Sequence, residues 1–364
     1  MDLDSSEIND VREAKDFKGM TFSEFKKPDV KKELLNSLIQ SKIEPACYWS
    51  AELICAGYFS DVWDILLYFY GKHIHLGNPK VAMYLELRIN NFKEIMNKGY
   101  VGCELRMRNN EKIRRLFGEI ICILCEAKRK HSFDEIRIKP EDFDMTLMTD
   151  RFQAPCVLYA EAVFLPDDPT ELFIAMNEFC FHLSAESKSI IHACYWLEWI
   201  MEFEAICNSK KTKCVCERRP AISHVVDNKY QKDVVWLIWD AILKESEAER
   251  HASVISKIIK STLTLFCLKY TPGHFKRRRF LLYFAISLLT EDATTQIDIV
   301  SPKQKEKIND ILSKIHFVYK EIKKHEKSPQ TDYLFKDVKQ SNLERTIEKL
   351  DRMTTFEESF VPRV

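Results

Sequence analysis

Apolar residues recur every three or four positions along most of this chain. Between Asn78-Pro79 and Gly99 they fall at Val81, Leu85, Ile89, Phe92, Ile95 and Met96, the stripe of one helix face. Asn78 reads as the N-cap, Pro79 as the first helical residue and Gly99 as the stop. Asp168-Pro169-Thr170-Glu171 and Ser301-Pro302-Lys303-Gln304 carry the same opening, and the second is a capping box. Similar periodicity predicts helices near 31–41, 45–58, 60–74, 110–130, 187–207, 230–246, 250–270 and 276–290, with a long polar helix over 303–326. The β-branched runs at 136–138 and 297–300 are too short to found a sheet. The pattern predicts an all-α fold.

The helices occur twice. Pro28-Asp29 followed by Glu33-Leu34-Leu35 matches Pro166-Asp167 followed by Glu171-Leu172-Phe173 without a gap. Ala46-Cys47-Tyr48-Trp49 returns as Ala193-Cys194-Tyr195-Trp196, and Trp63-Asp64 returns as Trp239-Asp240. Arg114-Arg115-Leu116 and Arg278-Arg279-Phe280 each open an apolar helix, and Ile136-x-Ile138 pairs with Ile297-x-Ile299. Five matches in one order predict a tandem duplication of a unit of about five helices. The organisation that follows is a polar arm over 1–27, a first repeat over 28–150, a second over 151–300 and a charged C-terminal region over 301–364. Trp49, Trp63, Trp196 and Trp239 are expected to anchor the cores. The second repeat carries an insert at 208–229, rich in Lys210, Lys211, Lys213, Arg218 and Arg219, which reads as a removable surface excursion. Leu343, Ile347 and Leu350 give the C-terminal tail a thin apolar stripe.

Composition narrows the class. Glycine numbers 8 in 364, against an average near 7%, which is too few for a glycine-turned β fold or a phosphate-cradling loop. Lys plus Arg equals Asp plus Glu at 55 each, so a globally basic nucleic-acid binder is excluded. The acidic start and the short apolar runs at 62–70 and 280–289 match neither a signal peptide nor a membrane span. Twelve cysteines, mostly within apolar helical patterns, read as reduced thiols. The expected location is cytoplasm or nucleus, or a virion, with no membrane partner.

Four constellations carry candidate chemistry. Lys112, Arg114 and Arg115 open one fifth helix, and Lys276, Arg277, Arg278 and Arg279 open the other. Positive charge opposes the dipole at a helix start, so its repetition points either to an anion site for phosphate or nucleic acid, or to pairing with neighbouring acids. Cys207, Cys214, Cys216 and His224 make a C-x6-C-x-C-x7-H string that offers zinc four ligands; free thiols on a mobile basic loop are the alternative, and the expectation is no cofactor. His73 and His75 straddle Ile74, either as metal ligands or as helix-end groups. Glu141, Asp142, Asp144 and Asp150 cluster between the repeats, either as cation ligands or as solvated acids. No G-x-S-x-G or H-E-x-x-H is present.

The segments Ile74-His75-Leu76-Gly77-Asn78-Pro79-Lys80, Tyr84-Leu85-Glu86-Leu87-Arg88 and Glu141-Asp142-Phe143-Asp144-Met145-Thr146 resemble an uncharacterised helical family of large nucleocytoplasmic DNA viruses. The resemblance spans about 30–300 and carries no catalytic motif, so it transfers no functional residue. It implies a viral protein. The expected function is a non-enzymatic helical scaffold with protein partners, serving replication, transcription or virion assembly. A sequence-independent nucleic-acid module and a metal-dependent enzyme stand as alternatives.

Overall fold

The computed structural model describes residues 6–144 and 146–327. The apolar stripe of the tail at Leu343, Ile347 and Leu350 lies outside them. Among the described residues there are thirteen α-helices and no strand, in agreement with the helical periodicity.

A short helix α1 (Ala14–Phe17) precedes five helices of the first half: α2 (Lys27–Ile39), α3 (Ile43–Cys55), α4 (Phe59–Phe69), α5 (Val81–Asn97) and α6 (Glu111–Glu126). Five more follow: α7 (Phe173–Leu183), α8 (Ile190–Ser209), α9 (Val235–Ser246), α10 (Ser253–Phe266) and α11 (Phe275–Thr290). The chain then forms α12 (Pro302–Ser313) and α13 (Ile315–Lys323). In each half the first helix packs on the second and the second on the fifth.

The two fifth helices are buried differently. α6 keeps an exposed side at Glu111, Lys112 and Arg115. α11 is buried on all sides from Arg278 to Thr290. Its Phe280, Leu281, Leu282, Tyr283 and Phe284 run without a polar stripe, as a helix enclosed by neighbours should. It packs against α8, α9 and α10 of its own half and against α4 of the other. Gly71, in the π-turn Tyr70–Ile74 after α4, makes that crossing possible: a Cβ there would sit 2.9 Å from the Phe280 carbonyl carbon. The halves also meet where α5 lies along α10.

Some boundaries differ from the sequence reading. The capping box forms at Ser301: its backbone N–H donates to Gln304 Oε1 at 2.8 Å and its Oγ accepts from the Gln304 N–H at 3.4 Å. Asn78 does not cap α5. It is buried and donates to the Asp298 carbonyl at 3.2 Å, while α5 begins at Val81. Asp168 does not cap α7 either, because a buried arginine claims its carboxylate. The long helix over 303–326 is broken at Lys314, so that α12 lies along α6 and α13 turns onto α3 as well. Gly118 on α6 lets this region approach, since a Cβ there would meet Leu312 at 3.0 Å. Trp63, Trp196 and Trp239 are fully buried anchors, whereas Trp49 is only half-buried.

Candidate functional site

Most of the basic residues at the two helix starts are used to hold the fold. At α6, Asn110 supplies the N-cap and accepts from the Lys112 and Ile113 amides at 2.9 and 3.3 Å, so these donors are already taken. Arg114 is buried. It donates to the Arg108 carbonyl at 2.6 Å, to the Ser6 hydroxyl and carbonyl at 2.9 and 3.0 Å and to Asn109 Oδ1 at 3.0 Å, and its guanidinium lies over the Tyr319 ring. Lys112 and Arg115 face outward.

At α11, Arg278 is 2% exposed and donates to the Phe266 and Leu268 carbonyls at 2.7 and 2.6 Å and to Asp64 Oδ1 at 2.9 Å. Arg277 holds the other Asp64 oxygen at 3.0 Å. Arg279 pairs with Glu135 and lies 3.4 Å from Glu198. Lys276 is exposed. Pairing with neighbouring acids therefore explains Arg277, Arg278 and Arg279, and uncharged backbone and side-chain oxygens explain Arg114. Of the expected anion-site residues, Lys112, Arg115 and Lys276 are the exposed cations with no carboxylate partner among the described residues. Sequence spacing alone does not mark Asp64 as their partner; its place in the repeated Trp-Asp pair is the available signal.

The zinc string is not assembled as a four-ligand site. Among the described residues no group of three or more His, Cys, Asp and Glu side chains is placed to hold a metal ion. Cys216 is buried, and its thiol donates to the Asp233 carbonyl at 3.1 Å. Burial pushes both Cys214 and Cys216 up to about 12, away from the thiolate a metal needs, with neighbouring Cys207 adding to the effect at Cys214. His224 is exposed.

The insert itself is anchored. Arg219, 2% exposed, reaches the carboxylate of Asp168, which is 3% exposed, and lies 3.4 Å from Asp240. Asp168 also accepts from the Leu165 and Glu217 amides at 2.8 Å each. Cys216 N–H donates to the Lys232 carbonyl at 2.9 Å. A polar composition conceals these inward-facing residues, whose contacts speak against the expectation of a removable excursion.

The remaining constellations are local. His73 Nδ1 lies 3.0 Å from His131 Nδ1, while His75 is buried with Nε2 3.2 Å from Ser287 Oγ, so the H-x-H pair is split between two partners. Asp142 accepts from Lys139 N–H at 2.7 Å and from the Tyr195 hydroxyl at 3.0 Å, and Asp144 accepts from Thr146. These acids stabilise turns and tie the linker to α8.

Ser187, His182 and Glu178 line up as hydroxyl, imidazole and carboxylate, at 2.8 Å and 3.7 Å. Burial depresses His182 to about 4, and Glu178 is occupied by the Gln153 and Ala154 amides. A general base works best near the operating pH, so this trio fits a clamp that ties α7 to the turn after it and to the linker at 153–154 better than a nucleophilic site.

Of the grooves beside α12 and α13, two carry several apolar residues. One, of about 610 Å³, lies between α3 and these helices and is lined by Pro45, Tyr48, Trp49, Ile311, Phe317 and Val318. Phe317 is 57% exposed, and Phe25 stacks edge-on against Trp49 at the same surface. The other, of about 750 Å³, lies between α5, α6 and α12. No family model, no curated protein and no solved structure matches the chain.

Proposed function

We propose that this chain is a non-enzymatic α-helical scaffold that receives a protein partner in the groove between α3 and α13, in the service of viral replication, transcription or virion assembly. The apolar surface made by Trp49, Tyr48, Phe317 and Val318 carries the reading. Exposed apolar patches of this kind commonly mark interaction sites. At its rim Asp310 pairs with Lys314 and Glu321 with Lys324, so the groove's apolar floor sets the partner's chemistry, a helix with an apolar face.

The proposed body is a duplicated unit. Supporting it, five helices follow in the same order in each half, the Ala-Cys-Tyr-Trp segments lie in the second helix of each, and the Trp-Asp pairs lie in the third. The half-buried Trp49 departs from its buried counterpart Trp196 where the groove opens. On this reading the first copy has given up a core position to a binding surface.

The test is site-specific photo-crosslinking in infected cells, with the probe at Phe317 and a control probe at the exposed Leu158. A protein captured at 317 and not at 158, whose purified form binds Phe317→Asp at least tenfold more weakly, supports the reading. Equal binding to wild type and Phe317→Asp overturns it.

A further inference from the structure

The groove between α5, α6 and α12 has the dimensions and chemistry of a small-molecule site. Its volume of about 750 Å³ lies within the roughly 300–1,000 Å³ typical of such sites. Lys80 lines it from the start of α5, Arg115 from α6 and Lys305 from α12. None of the three has an ion-pair or side-chain hydrogen-bond partner among the described residues. Their neighbours contrast with them. Arg88 is held by Glu119 at 2.7 Å, and Lys307 by Glu126.

With Arg88 and Glu119 neutralising each other, the groove keeps three cations against one exposed carboxylate, Asp298. The same elements bring apolar residues to the groove: Ile123 on α6, Ile299 and Val300 just before α12, and Ile308 and Leu312 on α12. Tyr84 adds a polar group to the lining. It is 8% exposed, lines the groove, and its hydroxyl is buried beside the Arg88–Glu119 pair without a well-formed hydrogen bond. A buried hydroxyl left in that condition costs free energy that a ligand's acceptor would recover.

We propose that this groove binds a phosphorylated small molecule of nucleotide size, its phosphates held by Lys80, Arg115 and Lys305 and its planar or apolar body set against Ile308 and Val300. Three cations lining one groove from three elements match a multiply charged phosphate ester. The apolar wall distinguishes such a ligand from a bare inorganic anion.

The experiment titrates full-length protein with a fluorescent N-methylanthraniloyl adenosine triphosphate, with inorganic pyrophosphate and adenosine as competitors. Saturable binding is expected. The double variant Arg115→Gln/Lys305→Gln should weaken it by about tenfold or more, since charge-assisted contacts are lost. Both side chains are exposed, so the variant should keep the wild-type melting temperature. Lys112→Gln, on the same helix but outside the groove, should leave binding unchanged. Pyrophosphate should compete more weakly than unlabelled nucleotide. Absence of binding at millimolar probe, an unchanged affinity in the double variant, an equal loss in Lys112→Gln, or pyrophosphate binding as tightly as the nucleotide would each overturn the proposal.

Discussion

Asp64 and Asp240 stand at matching places in the two Trp-Asp pairs, and each meets an arginine that arrives from a different part of the chain. Asp64 receives Arg277 and Arg278 from α11, across the boundary between the halves. Asp240 receives Arg219 from the insert at 3.4 Å, and shares it with Asp168. Arg114 and Arg278, also matched in sequence, diverge in the same way. Each donates to a backbone carbonyl shortly before its own helix, at Arg108 and at Leu268. Arg278 then finds a carboxylate, while Arg114 finds Ser6 and the Tyr319 ring. Similar local sequence sets the helix and the inward position. Which charge answers a buried guanidinium depends on what the rest of the chain brings there.

The largest effect is expected where the insert is anchored. Arg219→Ala leaves Asp168 buried with two backbone amides and no counter-charge, and breaking a buried pair from one side costs about 3–5 kcal/mol. Chemical denaturation should show that loss as a lower midpoint. Replacing both partners, as Arg219→Met/Asp168→Leu, should recover part of it, because neither charge is then stranded. If Arg219→Ala melts like wild type, the insert is the surface excursion its composition suggested.

A smaller loss is expected at the boundary between the halves. Asp64→Asn removes the charge opposite Arg278 but leaves that guanidinium its two carbonyls and an amide oxygen to bond. The cost should be about 2 kcal/mol, in the range for a hydrogen bond to a charged group. Asp240→Asn is the matched control and should cost less, because Asp240 is the more exposed acid and Arg219 retains Asp168. Equal losses at the two positions would remove the distinction between the halves.

The helices were legible because their periodicity is local, and so was the capping box at Ser301, whose partners lie three residues apart. Asn78 and Asp168 had the right residues for caps but were claimed by distant groups, the Asp298 carbonyl and Arg219. A run such as Lys276-Arg277-Arg278-Arg279 does not indicate which members point inward, since a long basic side chain suits both a surface and a buried pair. Burial separated them, with Arg278 and Arg279 buried and Lys276 and Arg277 exposed. In the insert, Cys214 and Cys216 alternate with the less buried Val215 and Glu217, a period-two signal hidden among lysines and arginines. The grooves beside α12 and α13 were not legible, because they depend on the break at Lys314 and on how two separate helices lie on α3 and α6.

The smallest effect separates the halves by pH. In the second half, burial pushes Glu198 up to about 7 from an ordinary 4.5, even though Arg279 lies beside it. Between those two values the folded chain holds a proton that the unfolded chain has released. Stability therefore falls as pH rises from about 4.5 to 7 and stays reduced above it. In the first half, burial also acts upward on Asp61, but the Lys31 and Lys27 ammoniums overcome it and hold the carboxyl below its ordinary value. Its contribution has the opposite sign, present at neutral pH and lost as pH falls through its folded value. Glu198→Gln keeps an oxygen for the Tyr283 hydroxyl, which donates to Glu198 at 2.8 Å, and removes the titration. Its stability should equal wild type near pH 5 and exceed it by on the order of 1 kcal/mol at pH 8. Asp61→Asn should instead weaken the protein at pH 7 and converge with wild type in acid. Urea midpoints from about pH 2 to pH 8 measure both, the acid end for Asp61 and the range above pH 5 for Glu198. A Glu198→Gln variant that loses stability at pH 8, or that keeps the wild-type slope between pH 5 and 7, would show that the Arg279 pair outweighs burial at Glu198.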